Sequence, residues 1–405
     1  MKNFSVVILF LLFGCCCEAF TTSLTKTNVR STISPMFSSS TTSSIDLKTA
    51  VSNLKQVLER EYITFFDPMV KEYYNPQVTF KDPLNNLEGI DAYQSNVDML
   101  AGRTLMGKVL FDNASIQLHS VTGGEIDSDN NISNIQTRWT LRFTFQALPW
   151  KPTARFSGIS VYTVQPCSAN QVGIEITSQH DYWDNINLQP GDGSKYQDVS
   201  RLEGLQDLWN QLKPGGFQAS AAAPELPYSL LRRGSDYQVR RYPSHSCLRL
   251  NSYQRRDEGY ERLGSFTSSN CESALGPAIL QVQKDNSDQA KQMSWPLTFA
   301  LPGSKEPSSP TQALSKIKEL GDNSAFSIDT IPSQVIAVRE FTDASMEPVV
   351  RKNDALLRES LQRDGLQAAA SSSNELRFAQ YDAIFSMGQR RGEVWIPLEV
   401  GGHPW

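Results

Sequence analysis

Apolar positions recur at steps of three and four from Leu47 through Val51, Leu54, Leu58, Tyr62 and Phe65, which predicts an amphipathic helix with one buried face. The short apolar stretch Val78-Thr79-Phe80, a turn at Lys81-Asp82-Pro83 and a second helix over Ile90 to Leu100 come next. The period then changes to two. Trp139, Leu141, Phe143 and Phe145 alternate with Arg138, Thr140, Arg142 and Thr144, which predicts a strand whose aromatics share a buried face. Phe156 to Val164 and Val172 to Ser178 read as further strands around a hairpin loop, Gln165 to Gln171. Helices followed by a curled antiparallel sheet make the first folded unit, 45–185, α+β.

A linker, 186–226, opens at Pro190-Gly191-Asp192-Gly193 and carries one short amphipathic helix through Leu202, Leu205, Leu208, Trp209 and Leu212. Few basic residues flank that helix, so it should pack on a domain and not on a membrane surface. Beyond it the chain repeats itself. Val239-Arg240-Arg241-Tyr242 returns as Val338-Arg339-Glu340-Phe341, each string on a strand-like segment. A helix follows each, about Tyr253 to Phe266 and about Met346 to Asp364, and then two strands. Those strands are Ile279 to Gln283 and Pro296 to Ala300 in the first copy, Arg377 to Ala383 and Glu393 to Glu399 in the second. Trp295-Pro296-Leu297 and Trp395-Ile396-Pro397 take the same place. Two βαββ halves, within 227–402, should close one pseudo-symmetric barrel with helices outside, because neither half covers its own sheet edges.

The 405 residues are 39% apolar and 20% charged, enough to bury real cores, and the formal net charge is -5. With no basic run, phosphate binding lacks its footing and nucleic acid is excluded as the main partner. Cys15, Cys16 and Cys17 lie in the amino-terminal apolar segment, and Cys167, Cys247 and Cys271 are scattered. No Cys-x-x-Cys, haem-attachment or Cys-Pro pattern occurs, so these three read as reduced, mostly buried thiols. Lys2, the apolar stretch from Phe4 to Phe13 and Glu18-Ala19-Phe20 make residues 1–19 a signal peptide. Thr21 to Ser44 is rich in Ser and Thr with Lys26 and Arg30 as its charges, so 20–44 reads as a transit segment. No later segment is apolar for the roughly 18 residues a transmembrane span needs.

A signal peptide joined to a transit segment at Ala19-Phe20-Thr21 resembles the bipartite presequence of algae whose plastids came from a secondary endosymbiosis, and the resemblance implies a plastid protein. In the first unit Tyr73-Tyr74-Asn75-Pro76, then Val78 to Pro83, then a helix start at Gly89-Ile90 resemble the cone-shaped fold of the nuclear transport factor 2-like superfamily. That fold encloses an apolar cavity, and its enzymatic members use a buried Asp with His or Tyr, which brings Asp82, His119, His180 and Asp181 into consideration. Asp82 before Pro83 is more simply a turn residue, and the histidines on or near strands read as structural. No catalytic residue is assigned, and the unit reads as a binding or scaffolding module.

In the second unit five strings occur in order: Tyr228 to Arg233, Asp236 to Tyr242, Met293 to Pro302, Ala337 to Phe341, and Tyr381-Asp382 running to Arg390 through Ile396. They look like the SOUL haem-binding family, and the two-domain pairing is similar to a plastid subgroup of plant and algal SOUL proteins. The resemblance implies reversible binding of haem or another tetrapyrrole and no catalysis. In the family the groove lies between the first helix and the loop before the last strand. Carried over, the site is Arg256, Tyr260, Leu263 and Phe266 on the helix with Ile384, Phe385, Met387 and Arg390 in the loop. A porphyrin is an apolar disc with two carboxylates, which such a set suits: a greasy groove with arginine at its rim. Gly259 and Gly264 stand where bulkier groups could cover a porphyrin face. His245 and His403 are poorly placed as axial ligands, so no metal ligand is assigned. The expected role is a tetrapyrrole carrier or buffer. The alternatives are a small-ligand enzyme using the amino-terminal cavity, and a protein that docks on a tetrapyrrole-pathway enzyme or on plastid lipid droplets.

Overall fold

The computed structural model describes residues 46–186, 199–213, 225–250, 255–262, 276–283, 291–298, 326–342, 347–381 and 391–399, with isolated positions between them. The two expected targeting segments lie outside these residues. Helix α1 (Leu47–Ile63) buries Ala50, Val51, Leu54, Leu58 and Tyr62, the face its spacing predicts. After it come β1 (Tyr74–Lys81), β2 (Asn86–Glu88), α2 (Ile90–Leu100), α3 (Leu105–Leu110), β3 (Phe111–Gly123), β4 (Ile135–Phe145), β5 (Thr153–Pro166) and β6 (Ile174–Trp183). Gly89, at φ 90°, supplies the left-handed backbone that turns β2 into α2. The six strands form one sheet in the order β2-β1-β6-β5-β4-β3, with β1 parallel to β6 and the other pairs antiparallel. This is the nuclear transport factor 2-like α+β architecture.

A small ribbon, β7 (Leu188–Gln189) and β8 (Lys195–Tyr196), leads to α4 (Arg201–Leu212). Glu203 Oε2 accepts from the Ser200 N–H at 3.0 Å and caps the helix start. Helix α4 lies on the first domain: Trp150 Nε1 donates to Leu212 O at 2.8 Å, and Gln211 Oε1 accepts from Arg155 N at 2.8 Å. A Cβ at Gly204 would come within 2.8 Å of the Pro83 carbonyl, so only glycine permits this approach.

The second domain contains β9 (Ser229–Arg233), β10 (Gln238–Tyr242), β11 (His245–Leu250), α5 (256–262), β12 (Ser273–Ala274), β13 (Ala278–Gln283) and β14 (Gln292–Thr298). It continues with β15 (Phe326–Ile331), β16 (Gln334–Phe341), α6 (Glu347–Arg363), β17 (Glu375–Gln380) and β18 (Gly392–Pro397). The sheet order is β15-β11-β14-β13-β17-β18-β16-β10-β9, and the order returns on itself. Only Pro243-Ser244 separates β10 from β11, and only Pro332-Ser333 separates β15 from β16. Pairing holds one register across both breaks, from Gln238↔Val338 to Tyr242↔Gln334 and on from His245↔Ile331 to Leu250↔Phe326. Two long kinked strands therefore form a central ribbon, and β14, β13, β17 and β18 complete a closed circuit around it. Helix α6 buries Val350, Leu357 and Leu361 on one face of this curled antiparallel sheet, and a smaller cluster around Tyr242, Val338 and Trp395 fills the other.

The repeat expected from the sequence is present, but its first-strand alignment is corrected. β11 stands to α5, β13 and β14 as β16 stands to α6, β17 and β18. The twin strings beginning at Val239 and Val338 are not equivalent positions; they lie on β10 and β16, which pair with each other. Strands facing one core converge on similar compositions, and that similarity misled the string match.

Strand β4 buries the aromatic face its period predicts, and part of its other face as well. Arg138 and Thr140 lie on the face of the sheet away from the aromatics, yet Arg138 is only 4% exposed because β9 covers it. The Arg138 guanidinium donates to both oxygens of Asp184, at 2.7 and 2.5 Å, and to Leu231 O at 3.0 Å. Thr140 donates to Leu230 O at 2.7 Å, and Ser157 Oγ accepts from Arg233 N at 2.6 Å. The Arg233 fork closes on Asp207 of α4. No helix among the described residues is long and apolar enough to cross a membrane.

Candidate functional site

Helix α5 lies across β14 and β17. A Cβ at Gly259 would stand 2.9 Å from Met293 Cε and 3.0 Å from Tyr253 Cγ, so this glycine faces the sheet and lets the helix sit down on it. It does not stand where a side chain could cover a bound disc, which corrects that expectation. One position on, the Tyr260 ring meets Trp295 edge-on at 5.1 Å between centroids and its hydroxyl donates to Gln380 O at 3.2 Å. The Arg256 guanidinium lies 5.9 Å from the centre of the Phe378 ring. Gln380 is the last residue of β17, so Arg256 and Tyr260 sit beside the end of that strand, just before residues 382–390, which lie outside the described residues. Leu263, Phe266, Ile384, Phe385, Met387 and Arg390 lie outside the described residues, as do Gly264 and His403.

The two residues that bracket the loop are anchored on one buried carboxylate, a cluster that motif reading missed although it quoted its members. Tyr381 Oη and Trp395 Nε1 each donate to Glu393 Oε2 at 2.8 Å. Arg391 and Arg240 reach Glu393 Oε1 at 2.8 and 3.0 Å, and the Arg391 guanidinium stacks 3.9 Å over the Tyr381 ring. Burial opposes ionisation of Glu393, but the two arginines hold it below its ordinary value. Sequence periodicity could have exposed the cluster, since Glu393 and Trp395 are two apart on one strand and share a face.

His245 stands at the kink of the central ribbon. Its Nδ1 pairs with Pro243 O at 2.9 Å, and burial lowers its pKa. Leu250, at the other end of β11, is about 17 Å from His245 along the strand. Among the described residues no group of three or more His, Cys, Asp or Glu is placed to hold a metal ion.

The first domain contains a partly open cavity of about 110 Å³ between α1, α2 and the concave face of its sheet. Rings of Phe66, Phe80, Tyr93, Trp139, Phe156 and Trp183 make most of the wall, and Leu208 of α4 closes part of it. Asp82 and Asp181 both face it. Asp82 is the turn residue the sequence predicts, its Oδ1 accepting from Leu84 N and Asn85 N at 2.6 Å each, and burial raises its pKa. Asp181 is pushed up to about 7 by burial, against the hydrogen bonds of Gln179 and Ser160 and with the charge of Asp82.

The histidines are elsewhere. His180 faces the opposite side of β6 from Asp181, stacked on Tyr182 with ring centroids 4.1 Å apart. His119 lies at the domain interface, Nε2 paired with Thr140 Oγ1 at 2.8 Å, and is held down to about 4 by burial and by the charges of Arg138 and Arg241. No Asp–His pair forms in the cavity.

The Asp181 shift has a testable sign. Its proton is held more tightly in the folded chain than in the unfolded one, whose aspartate titrates near its ordinary value of about 3.9. Its favourable contribution is complete in acid and is lost as pH rises from about 4 through about 7. Asp181→Asn should gain stability relative to the native chain across that window, by at most about 4 kcal/mol. Paired thermal melts from pH 4 to pH 8 measure this, and the opposing contribution of His119 cancels in the difference. A constant difference between the two proteins would show that Asp181 ionises normally.

Residues 52–169 match the family model described as an uncharacterized conserved protein (DUF2358), and residues 223–397 match that of the SOUL heme-binding protein. No match is found among curated proteins. Among solved structures, the EcmrR C-terminal domain is 8% identical, covering 42% of this chain and 98% of its own, at a TM-score of 0.28. A nuclear transport factor 2-like superfamily protein from Salmonella enterica subsp. enterica serovar Typhimurium str. LT2 is 14% identical, covering 37% of this chain and 100% of its own, at a TM-score of 0.28. A putative scytalone dehydratase from Novosphingobium aromaticivorans DSM 12444 is 9% identical, covering 38% and 89%, at a TM-score of 0.26. The five ordered strings, the two-fold barrel and the family match agree: residues 223–397 carry a SOUL heme-binding domain match, behind a DUF2358 match at residues 52–169 in the domain of nuclear transport factor 2-like fold.

Proposed function

We propose that the protein binds haem or a related tetrapyrrole reversibly in a groove between α5 and the loop 382–390, and serves as a non-catalytic carrier or buffer in the plastid. The match of residues 223–397 to the SOUL heme-binding family model supports the ligand class. The observation that carries the location is the hydrogen bond from Tyr260 to Gln380 O, which ties the helix to the strand end from which the loop leaves. Arg256 and Arg390 would meet the propionates, and Leu263, Phe266, Ile384, Phe385 and Met387 would meet the macrocycle, with one face of Tyr260 beside them. With His245 at the far end of its strand, the macrocycle and its carboxylates, not the iron, provide the grip. A bound pigment neither aggregates nor sensitises photochemistry, and moderate affinity lets it be handed on. The signal-plus-transit pattern of residues 1–44 supports the plastid address.

Absorbance titration of the chain with haemin and with protoporphyrin tests the reading. Both should bind one to one with a shifted Soret band and comparable affinity, and Arg256→Glu or Leu263→Glu should weaken both by about tenfold or more. Haemin binding that is unsaturable, or indifferent to both substitutions, would remove the groove. The address is tested separately by fusing residues 1–44 to a fluorescent reporter, which should accumulate in plastids; secretion would overturn it.

A further inference from the structure

At about 110 Å³ the cavity of the first domain is too small to take up a tetrapyrrole. We propose that it is a second ligand site, for a small uncharged aromatic molecule bearing one hydroxyl group, which is gripped at its polar end by Asp181.

Size and lining fix the apolar part of the ligand. A volume of about 110 Å³ is comparable with the roughly 150 Å³ of an apolar protein cavity that takes up benzene. Protein interiors rarely leave such space unfilled, because the missing contacts cost stability. Here the surrounding side chains are rings held rigidly by one another, such as Phe80 stacked on Tyr93 at 4.9 Å and Phe156 against Trp183 at 4.5 Å, so the walls are not free to collapse.

The polar end is prearranged. Ser160 of β5 pairs with Asp181 of β6, and the two-residue period brings Gln179 to the same face. Gln179 is fixed at both ends: its Oε1 accepts from Tyr93, and its Nε2 donates to Asp181 Oδ1 at 2.8 Å. The carboxyl group is thereby held in one orientation at the cavity wall. Tyr62 spends its hydroxyl on Thr137, Ser160 and Tyr162, so the neighbouring phenols are committed to the protein. Among the described residues no His or Lys stands beside Asp181 in the cavity, and Tyr62 and Tyr93 spend their hydroxyls on protein groups, so the arrangement favours binding over turnover.

Charge selects a neutral guest. Among the described residues no Lys, Arg or His lines the cavity, so an anion would face two aspartates without compensation. A cation would leave water for a carboxyl group already engaged by Gln179 and Ser160. A hydroxyl suits the site in either protonation state, since it donates to a carboxylate and accepts from a carboxylic acid.

Calorimetric titration of the full chain with p-cresol, toluene, p-toluate and 4-methylbenzylamine tests the proposal. p-Cresol should bind one to one, toluene roughly three- to tenfold more weakly for want of the hydroxyl, and both charged analogues at least tenfold more weakly than p-cresol. Asn96→Trp, which fills the cavity from α2, should abolish p-cresol uptake while leaving haemin binding intact. Asp181→Leu should lower p-cresol to the level of toluene, and it decides the matter if Asn96→Trp fails to show a native circular dichroism spectrum. Haemin-loaded protein should bind p-cresol unchanged, which keeps this site separate from the groove. Absence of saturable p-cresol binding, undiminished binding in a folded Asn96→Trp chain, a charged analogue equal to p-cresol, or competition with haemin would each overturn it.

Discussion

Arg240→Met should destabilise the second domain by about 3–5 kcal/mol, the cost of breaking a buried ion pair from one side. Arg240 and Glu393 are both fully buried, and the guanidinium also reaches Glu340 at 2.7 Å and lies 4.4 Å over the Tyr228 ring. Methionine would fill much of the space but leave Arg391 as the one cation on Glu393, beside the hydrogen bonds from Tyr381 and Trp395. At about 2–4 °C per kcal/mol for a domain of this size, the melting temperature should fall by roughly 6–20 °C. The double change Arg240→Met, Glu393→Gln removes the orphaned charge as well, so it should be less damaging than Arg240→Met alone. Thermal denaturation followed by Trp395 fluorescence reads both proteins. If the double variant is destabilised by the sum of the single changes, the two residues do not act as a pair and the loop is anchored in some other way.

The second large effect lies between the domains. Arg138 carries a bidentate contact to Asp184 on its own sheet and a bond to Leu231 O on the other domain, all out of water. Arg138→Met should cost about 3–5 kcal/mol, because Asp184 then stays buried with Ser157 and, at 4.0 Å, Arg232. Thr140→Val, which removes a neutral hydrogen bond to Leu230 O, should cost about 1 kcal/mol. Calorimetry of the native chain should show one cooperative transition, and that of the Arg138→Met chain two, the domains having been uncoupled. A single unshifted transition in the variant would mean that the contact is passive.

Local periodicity carried α1, α2 and β4, since each buries one face of its own and the signal lies within a few residues. Strand β3 escaped it. As an edge strand it leaves most of its positions exposed or half-buried, so no alternation marks it. The burial of Arg138 was illegible for another reason: it depends on β9, some ninety residues away, docking on a face that looks polar. In the groove, Arg256 and Tyr260 came from the family motif and lie together over β17, but no spacing announced that Tyr260 would bond to Gln380 O. The cavity could have been read further than it was. Alternation along β6 already places His180 and Asp181 on opposite faces, so the aspartate belongs with Gln179 and not with its neighbour.

The circuit of the barrel bears on how the chain comes to be folded. Strand β18 is the piece that joins β17 to β16, and without it the central ribbon and the other strands form an open sheet with unpaired edges. The first domain has all six of its strands once Trp183 is available, whereas the second cannot close until residues 392–397 leave the ribosome. During vectorial synthesis a completed amino-terminal domain therefore precedes an unfinished barrel whose sticky edges must be kept from their neighbours until the last strand arrives.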